Sequence, residues 1–431
     1  MATVTNIRNY QFLITPLLDM NVYGEVVDVS KDIDLTDFVK NNGIGNIKRD
    51  IDNGDYDIGV FTYGNITIKA LNIDGKFNDQ NDFRSLFPYS RDKAKVTVNY
   101  LDLDGNVLSS FKGITNEEGT RQDFRKDEVK FKVLSEDSVI RKSKISGGTV
   151  ASGVPISQAI KNIISVPEIT SVLTYDESKI NVGTDYTIDV GGWFDNKKTK
   201  TGLDALLVAS GSVMLIEGST MVVRTREENS GNTFKFYGHG DLFGRENIIN
   251  IKSYNTGVQR MFNSIVVNDV EVANNDLIAT YGARQKVISF PFITNLTTNT
   301  LIAAAILAEF SAPKVELEIE TTTEIAKTLN FLDAVSIDYP YRRIPVGTDY
   351  LPLYGVAKYG EARYPIIQGN MKIRPQDAFK VIGFQERPKK YTTIVKLRQR
   401  GTTISDGSFN DFIAVYGSAV YGVSQYQTRI D

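Results

Sequence analysis

The sequence predicts a mainly β protein, α+β overall, with strand-rich domains on either side of a small α/β insert. Three observations carry that prediction. Short runs of β-branched and aromatic residues with two-residue alternation recur along both flanks. Gly, Asn and Asp punctuate them at intervals suited to a sandwich or barrel. Helical spacing of apolar residues is concentrated between residues 150 and 250.

Residues 1–148 read as strand after strand. In Val60–Leu71, Ile66 and Ile68 alternate with Thr67 and Lys69, and Ala94–Leu101 alternates more cleanly. Asp104, Gly105 and Asn106 then supply the turn of a hairpin completed by Val107–Phe111. Val129–Leu134 is a further half-buried strand. Small, uncharged Gly147–Pro155 marks a boundary. A helix follows over Ile156–Val166, with Ile156, Ile160, Ile163 and Ile164 on one face. A second helix runs from Thr201 to Ser210 and stops at Gly211. Val213–Arg224 is a hairpin turning at Gly218. Strand patterns return at Ser264–Asn268 and Lys286–Phe292, and an alanine-rich helix spans Thr298–Phe310. Val315–Glu320 alternates so that one face packs and the other is acidic, and Val335–Tyr339 and Phe379–Phe384 are further strands. The expected division is 1–148 (β), 149–250 (α/β insert), 251–400 (β) and a Tyr/Gly-rich C-terminal extension, 401–431.

At 431 residues the chain exceeds the size at which one core usually stops growing, so two to four domains are expected. Its 41% hydrophobic, 10% aromatic and 23% charged residues are those of a folded chain. The net charge of −3 argues against a duplex-binding surface. The short basic runs, Lys197–Lys198, Arg342–Arg343 and Arg387–Arg400, read as solvated faces or subunit contacts. With no cysteine, disulfides, zinc–thiolate centres, iron–sulfur clusters and thiol nucleophiles are excluded. No apolar run of about 20 residues predicts a membrane span. The N-terminus lacks a signal-peptide pattern, so export by that route is not expected.

Catalysis is constrained by the single histidine, His239. Any Ser–His–Asp relay or imidazole ligand must use it. It sits in the glycine-flanked loop Phe236–Phe243 and reads as a structural or merely exposed histidine. Asp102–Asn106 resembles the start of a calcium loop, but Val107 stands where the glycine belongs and Gly113 where the final acid belongs. It reads as a turn, as does Asn72–Asp79. Asp50, Asp52, Asp55 and Asp57 could bind a hard cation or supply an acid–base pair. They read instead as an exposed acidic turn available for contacts. Ser210 lacks the glycines of a nucleophile elbow, and no phosphate loop is present. The sequence therefore predicts no catalytic, cofactor-binding or metal residue and no enzyme. Tyr354 and Tyr359, with Tyr416 and Tyr421, occupy a repeated Tyr-Gly-x-Ala-x-Tyr-Gly pattern that suits a rigid contact surface.

One set of segments resembles a known family. Leu35–Val39, Gly43–Gly45, Asp55–Phe61, Ile66–Asn72 and Gly75–Phe77 follow the order found in the first barrel of phage tail hub (baseplate hub) proteins. Trp193–Phe194, Thr201–Leu207 and the hairpin ending Met221–Arg226 are similar to their α/β insert. Ile248–Asn263, with Tyr254–Val258 and Arg260–Asn263, is similar to the return into their second barrel. The resemblance spans about residues 20–395. It implies two tail-tube-type β-barrels and a homotrimeric ring of six barrels, joining a sixfold tail tube to a threefold tip and leaving a channel for DNA in transit. It implies tube, tip or fibre proteins as partners, no cofactor, synthesis in the host cytoplasm and a place in the virion tail. No attached lysozyme or peptidase domain is read, so a wall-cutting role is not expected. Two alternatives stand beside it: a distal tail ring protein, which would lack the second barrel in 251–395, and a receptor- or carbohydrate-binding tail component. Against the last, there is one tryptophan, Trp193, although 21 tyrosines keep it open.

Overall fold

The computed structural model describes residues 10–15, 32–52, 61–72, 77, 94–102, 104–115, 121–123, 127–226, 233–238, 245–255, 260–312, 314–338 and 378–400. Alternation in the N-terminal sequence becomes the wall of a barrel. Its strands are β1 (Tyr10–Thr15), β2 (Ile33–Asp34), β3 (Val39–Ile44), β4 (Ile47–Asp52), β5 (Phe61–Leu71), β6 (Lys95–Leu101), β7 (Val107–Thr115), β8 (Arg121–Asp123) and β9 (Glu128–Ser135). Antiparallel pairing runs β2–β1–β6–β7–β9–β5, and β5 takes β3 and β4 on its far edge. A 3-10 turn, Thr36–Phe38, carries the chain from β2 on the β1 edge to β3 on the β5 edge. Phe12, Ile14, Ile66, Ile68, Val96, Val98, Val129, Phe131 and Val133 fill the interior, while Lys69, Lys130 and Lys132 point outward. Each such apolar side chain contributes roughly 1.5–3 kcal/mol by leaving water. The Asp102 turn is built as expected: its carboxylate accepts the N–H groups of Asp104 at 2.9 Å and Asn106 at 2.7 Å. Gly105 takes the left-handed φ of +84° that the turn needs.

The middle module begins with α1 (Ser138–Lys142), α2 (Ile156–Ile164), α3 (Pro167–Thr170), β10 (Thr174–Ile180), α4 (Thr199–Ala209), β11 (Ser212–Glu217) and β12 (Thr220–Thr225). The isoleucine face read from the sequence is buried in α2. α4 ends before Gly211, and the β11–β12 hairpin turns at Gly218, as the sequence predicts.

The chain next forms β13 (Thr233–Tyr237) and β14 (Asn250–Asn255), then β15 (Ser264–Val267), β16 (Val270–Ala273), α5 (Asn275–Tyr281), β17 (Gln285–Ile288) and α6 (Leu296–Phe310). Here the cores depart from the expected division. Residues 264–310, assigned above to the second β domain, form a three-stranded sheet, β16–β15–β17, whose core with α6 is continuous with that of α2 and α4. The physical link is aromatic: Phe292 lies 5.2 Å from the Trp193 ring and 5.0 Å from that of Phe194. The Asp189 carboxylate fastens the same joint by accepting the N–H groups of Thr294 at 2.6 Å and Asn295 at 3.0 Å.

The second barrel uses β13 and β14 with β18 (Glu316–Thr322), α7 (Thr323–Lys327), β19 (Ala334–Asp338), β20 (Ala378–Arg387) and β21 (Thr392–Gln399). Its order is β14–β18–β21–β20–β19–β13, antiparallel except for the last pair. The N–H groups of Asn247 and Ile248 both donate to the Tyr237 carbonyl, joining the end of β13 to the approach to β14. Phe236, Leu317, Ile319, Val335, Ile337, Phe379, Val381, Val395 and Leu397 form the core. One correction concerns Arg387–Arg400, read above as a basic surface run: it contains β21, paired on both edges. Val395 and Leu397 point inward and Lys396 and Arg398 outward, so the run of charge concealed a strand of period two.

Gly113 sits where β7 meets β9, and a Cβ there would come within 2.3 Å of the Leu134 carbonyl oxygen. Gly113→Ala is expected to cost about 1–3 kcal/mol by overpacking, measured as a lower urea midpoint with an unchanged slope.

Candidate functional site at the seam between the barrels

The two barrels share a continuous sheet. β4 pairs with β5 on one edge and offers the other to β20, with Ile47 opposite Glu386, Arg49 opposite Phe384 and Asp50 opposite Gly383. β20 divides its edge: Ala378–Lys380 pairs with β19, and Gly383–Glu386 with β4. An open strand edge is a template for unwanted pairing, and here each barrel covers the other's. The approach is close: a Cβ on Gly383 would meet Asp50 Oδ1 at 2.2 Å and displace that side chain. Lys396 Nζ, from β21, holds Asp50 Oδ2 at 2.8 Å.

At one end of the seam lies a buried charged cluster. Glu386 is 2% exposed and accepts a short hydrogen bond from the Tyr10 hydroxyl of the first barrel. Its other oxygen accepts from Lys327 Nζ of α7 at 2.5 Å. Lys327 stands 5.6 Å over the ring of Tyr100, which packs 5.1 Å from Tyr10. Arg49 lies over Phe384 at 5.4 Å. Burial pulls the Lys327 ammonium down to about 8; the Glu386 charge opposes that shift and Arg49 adds to it. Burial also raises Tyr10, assisted by the negative charge and the hydrogen bond of Glu386, so its hydroxyl stays protonated as a donor. The cluster thus joins three distant segments through one carboxylate.

Behind the seam, Val213 and Leu215 of β11 and Leu332 form a small apolar cluster, against which Ile51 of β4 and Phe331 pack. All three modules meet there, and Leu332 adopts a left-handed φ of +66°. Two glutamates on the acidic face of β18 are ion-paired: Glu316 with Arg398 at 2.8 Å and Arg260 at 2.9 Å, and Glu320 with Lys252 at 2.6 Å. Burial would raise the Glu320 carboxyl, but the Lys252 and Thr392 hydrogen bonds and the nearby cations outweigh it and hold it below the usual range.

The structure revises part of the predicted site. Asp50 does not sit in an exposed turn: it belongs to β4, and its side chain faces the second barrel of the same chain. Asp52 ends β4, its backbone paired with Phe61. Asp55, Asp57, Tyr354, Tyr359, Tyr416, Tyr421, His239 and Arg342–Arg343 lie outside the described residues. Sequence reasoning missed Glu386, Lys327 and Tyr10. A signal existed for Glu386, which shares the phase of buried Phe384 in an alternating strand; Lys327, at the end of a short helix, offered none. Among the described residues no group of three or more His, Cys, Asp or Glu is placed to hold a metal ion, and no helix is long and apolar enough to cross a membrane.

Two β-barrels fused edge to edge, with an α/β module packed against both, make up a fold that solved tail proteins share. A 43 kDa tail protein of prophage MuSo2 from Shewanella oneidensis superposes with a TM-score of 0.50 at 10% identity, over 90% of this chain and 97% of that one. A tail protein from Neisseria meningitidis MC58 superposes with a TM-score of 0.52 at 12% identity, over 93% of this chain and 97% of that one. The likeness is one of fold, and it bears out the resemblance read from the sequence at that level. No protein-family model matches the sequence, and no curated protein matches it.

Two predictions follow from the cluster. Glu386→Met leaves buried cations without their carboxylate, and a loss of about 3–5 kcal/mol in urea unfolding is expected. Lys327→Met should be similarly costly, whereas the double variant should lose much less than the sum; additive losses would refute the coupling. The second concerns alkaline stability. Between about pH 8 and 10.5 folded Lys327 is neutral while the unfolded chain still holds its proton, so stability rises with pH in that window. Above about pH 10.5, where an ordinary lysine has lost its proton and an ordinary tyrosine ionises while Tyr10 does not, the slope reverses. Thermal melts across pH 7–11 should show the rise in the native chain and lose it in Lys327→Met.

Proposed function

We propose that this chain is a structural hub component of a phage tail tip or baseplate, and not an enzyme. One observation carries the reading: two barrels in one chain, locked edge to edge through β4 and β20, in a fold shared along nine-tenths of its length with a prophage tail protein and a second tail protein. In this reading three copies present six barrels, joining a sixfold tube to a threefold tip around a channel for DNA. A repeated heterologous contact closes naturally into such a ring. The modules would then be the first barrel, 1–148, an α/β unit in which β15–β17 and α6 join α2 and α4, and a second barrel of β13, β14 and β18–β21, with 401–431 available for contacts outside the ring. Tube, tip or fibre proteins are the partners of such a hub, and the virion tail is its location.

The second barrel favours this reading over a distal tail ring built from one barrel. The sugar-binding alternative loses its best platform: Trp193 packs against Phe194 and Phe292, and Lys197 Nζ sits 4.5 Å over its ring.

Light scattering on the purified full chain is expected to give about three times the 48.0 kDa chain mass, with threefold rings and a central channel in negative stain. The interface should bury more than about 2,000 Å² in total. A chain that stays monomeric at high concentration and binds a glycan array would overturn the hub in favour of a receptor-binding component.

A further inference from the structure

Helix α6 shows water a face that carries no charge. Its one ionisable side chain, Glu309, is half-buried and pairs with Arg226 at 2.9 Å. The inner face, with Ile302, Ile306 and Phe310, belongs to the core over β15 and β16. The outer face is a stripe at helical spacing, Thr297, Leu301, Ala304, Ala305 and Ala308, all exposed. Leu301 is 53% exposed, and Leu296 at the head of the helix is 69% exposed. Exposed Val190 is held near that head, its N–H donating to the Phe292 carbonyl at 3.2 Å. Thr300 spends its hydroxyl on the Leu296 carbonyl. A surface helix normally turns a polar, charged face outward, and one that is apolar on both sides belongs in an interior. Among the described residues nothing covers the outer face of α6.

The chain carries a matching cover. β21 ends beside the foot of α6: the Gln399 N–H donates to the Val315 carbonyl at 2.8 Å, and the Val315 N–H to Gln399 Oε1 at 3.2 Å. Val315 follows closely on Phe310, the last residue of the helix. Residues 401–411 can span about 35 Å, against about 22 Å for the length of α6. The next stretch, 412–428, has no charged residue and carries Phe412, Ile413, Val415, Tyr416, Val420 and Tyr421. We propose that residues 412–428 pack along the outer face of α6 in their own chain, covering Leu296, Leu301 and the exposed alanines. The alanines let a second backbone come close, and the phenylalanine and tyrosine rings supply the apolar area. Because α6 belongs to the middle module, this contact lies outside any ring of barrels. It is the same in a monomer and in an assembly.

The test is limited chymotrypsin digestion of the full chain, read by mass spectrometry. Cleavage at Phe412, Tyr416 and Tyr421 is expected to be slow in the native chain. In Leu301→Glu it should be at least about tenfold faster, because the protease cuts the segment when it lifts off. Ala305→Glu, on the same face, decides the matter if Leu301→Glu fails to fold. Equal cleavage in the native chain and in a folded variant would overturn the proposal. The chain has no cysteine, so cross-linking identifies the occupant cleanly. Ala305→Cys is combined in turn with Ala414→Cys, Ala419→Cys and Ser424→Cys, and each pair is treated with a short bismaleimide. A link within one chain is expected in at least one pair. Links between chains alone would overturn the proposal in favour of a second copy's segment, and no link in any pair would overturn it outright.

Discussion

The pairing of β4 with β20 is the constraint on which the rest of this structure depends. Each barrel closes around its own core, but each leaves one strand partly uncovered, and those two strands are given to each other. Everything near the seam follows from that backbone ladder. Gly383 leaves the space that the Asp50 carboxylate occupies, and Glu386 is buried because its register places it over Tyr10. Leu332 bends through a left-handed conformation at the point where the middle module wedges in, and its neighbours there are Ile51 and Val213.

The polar cluster has a different purpose from the cores. Burying a carboxylate and an ammonium together gains little over apolar packing of the same volume, because desolvation consumes most of the attraction. What it adds is specificity. A hydrophobic seam tolerates slippage, whereas a one-residue shift of β20 would move the Glu386 side chain to the other face of the sheet, away from Tyr10 and Lys327. The Asp50–Lys396 pair fixes the same register a few residues away.

Much of the fold was legible because alternation and turn chemistry are local. Ile66 and Ile68, the Asp102 turn, the isoleucine face of α2 and the glycines after α4 and in the β11–β12 hairpin all do what their neighbours in sequence dictate. The failures were long-range. Residues 264–310 carry the strand signals of a barrel, yet Phe292 finds its partners in Trp193 and Phe194, about a hundred positions earlier, and takes its sheet with it. β21 was hidden by its outward Lys396 and Arg398, whose charges are matched by Asp50 and Glu316 on other strands. The site was least legible of all, since Tyr10, Lys327 and Glu386 belong to no motif and acquire meaning only when two barrels meet.

The separation along the chain between Tyr10 and Glu386, 376 positions, also sets a clock. A ribosome adding about 5–20 residues each second needs roughly 20 to 75 s to travel that distance. The first barrel has all its strands long before then and can close, but the outer edge of β4 has no partner until β20 emerges. For that interval the nascent chain carries an unpaired strand edge of the kind that recruits foreign strands. Arg49 and Asp50, charged and pointing to opposite faces of that edge, are the residues on hand to discourage such pairing until the rest of the chain arrives.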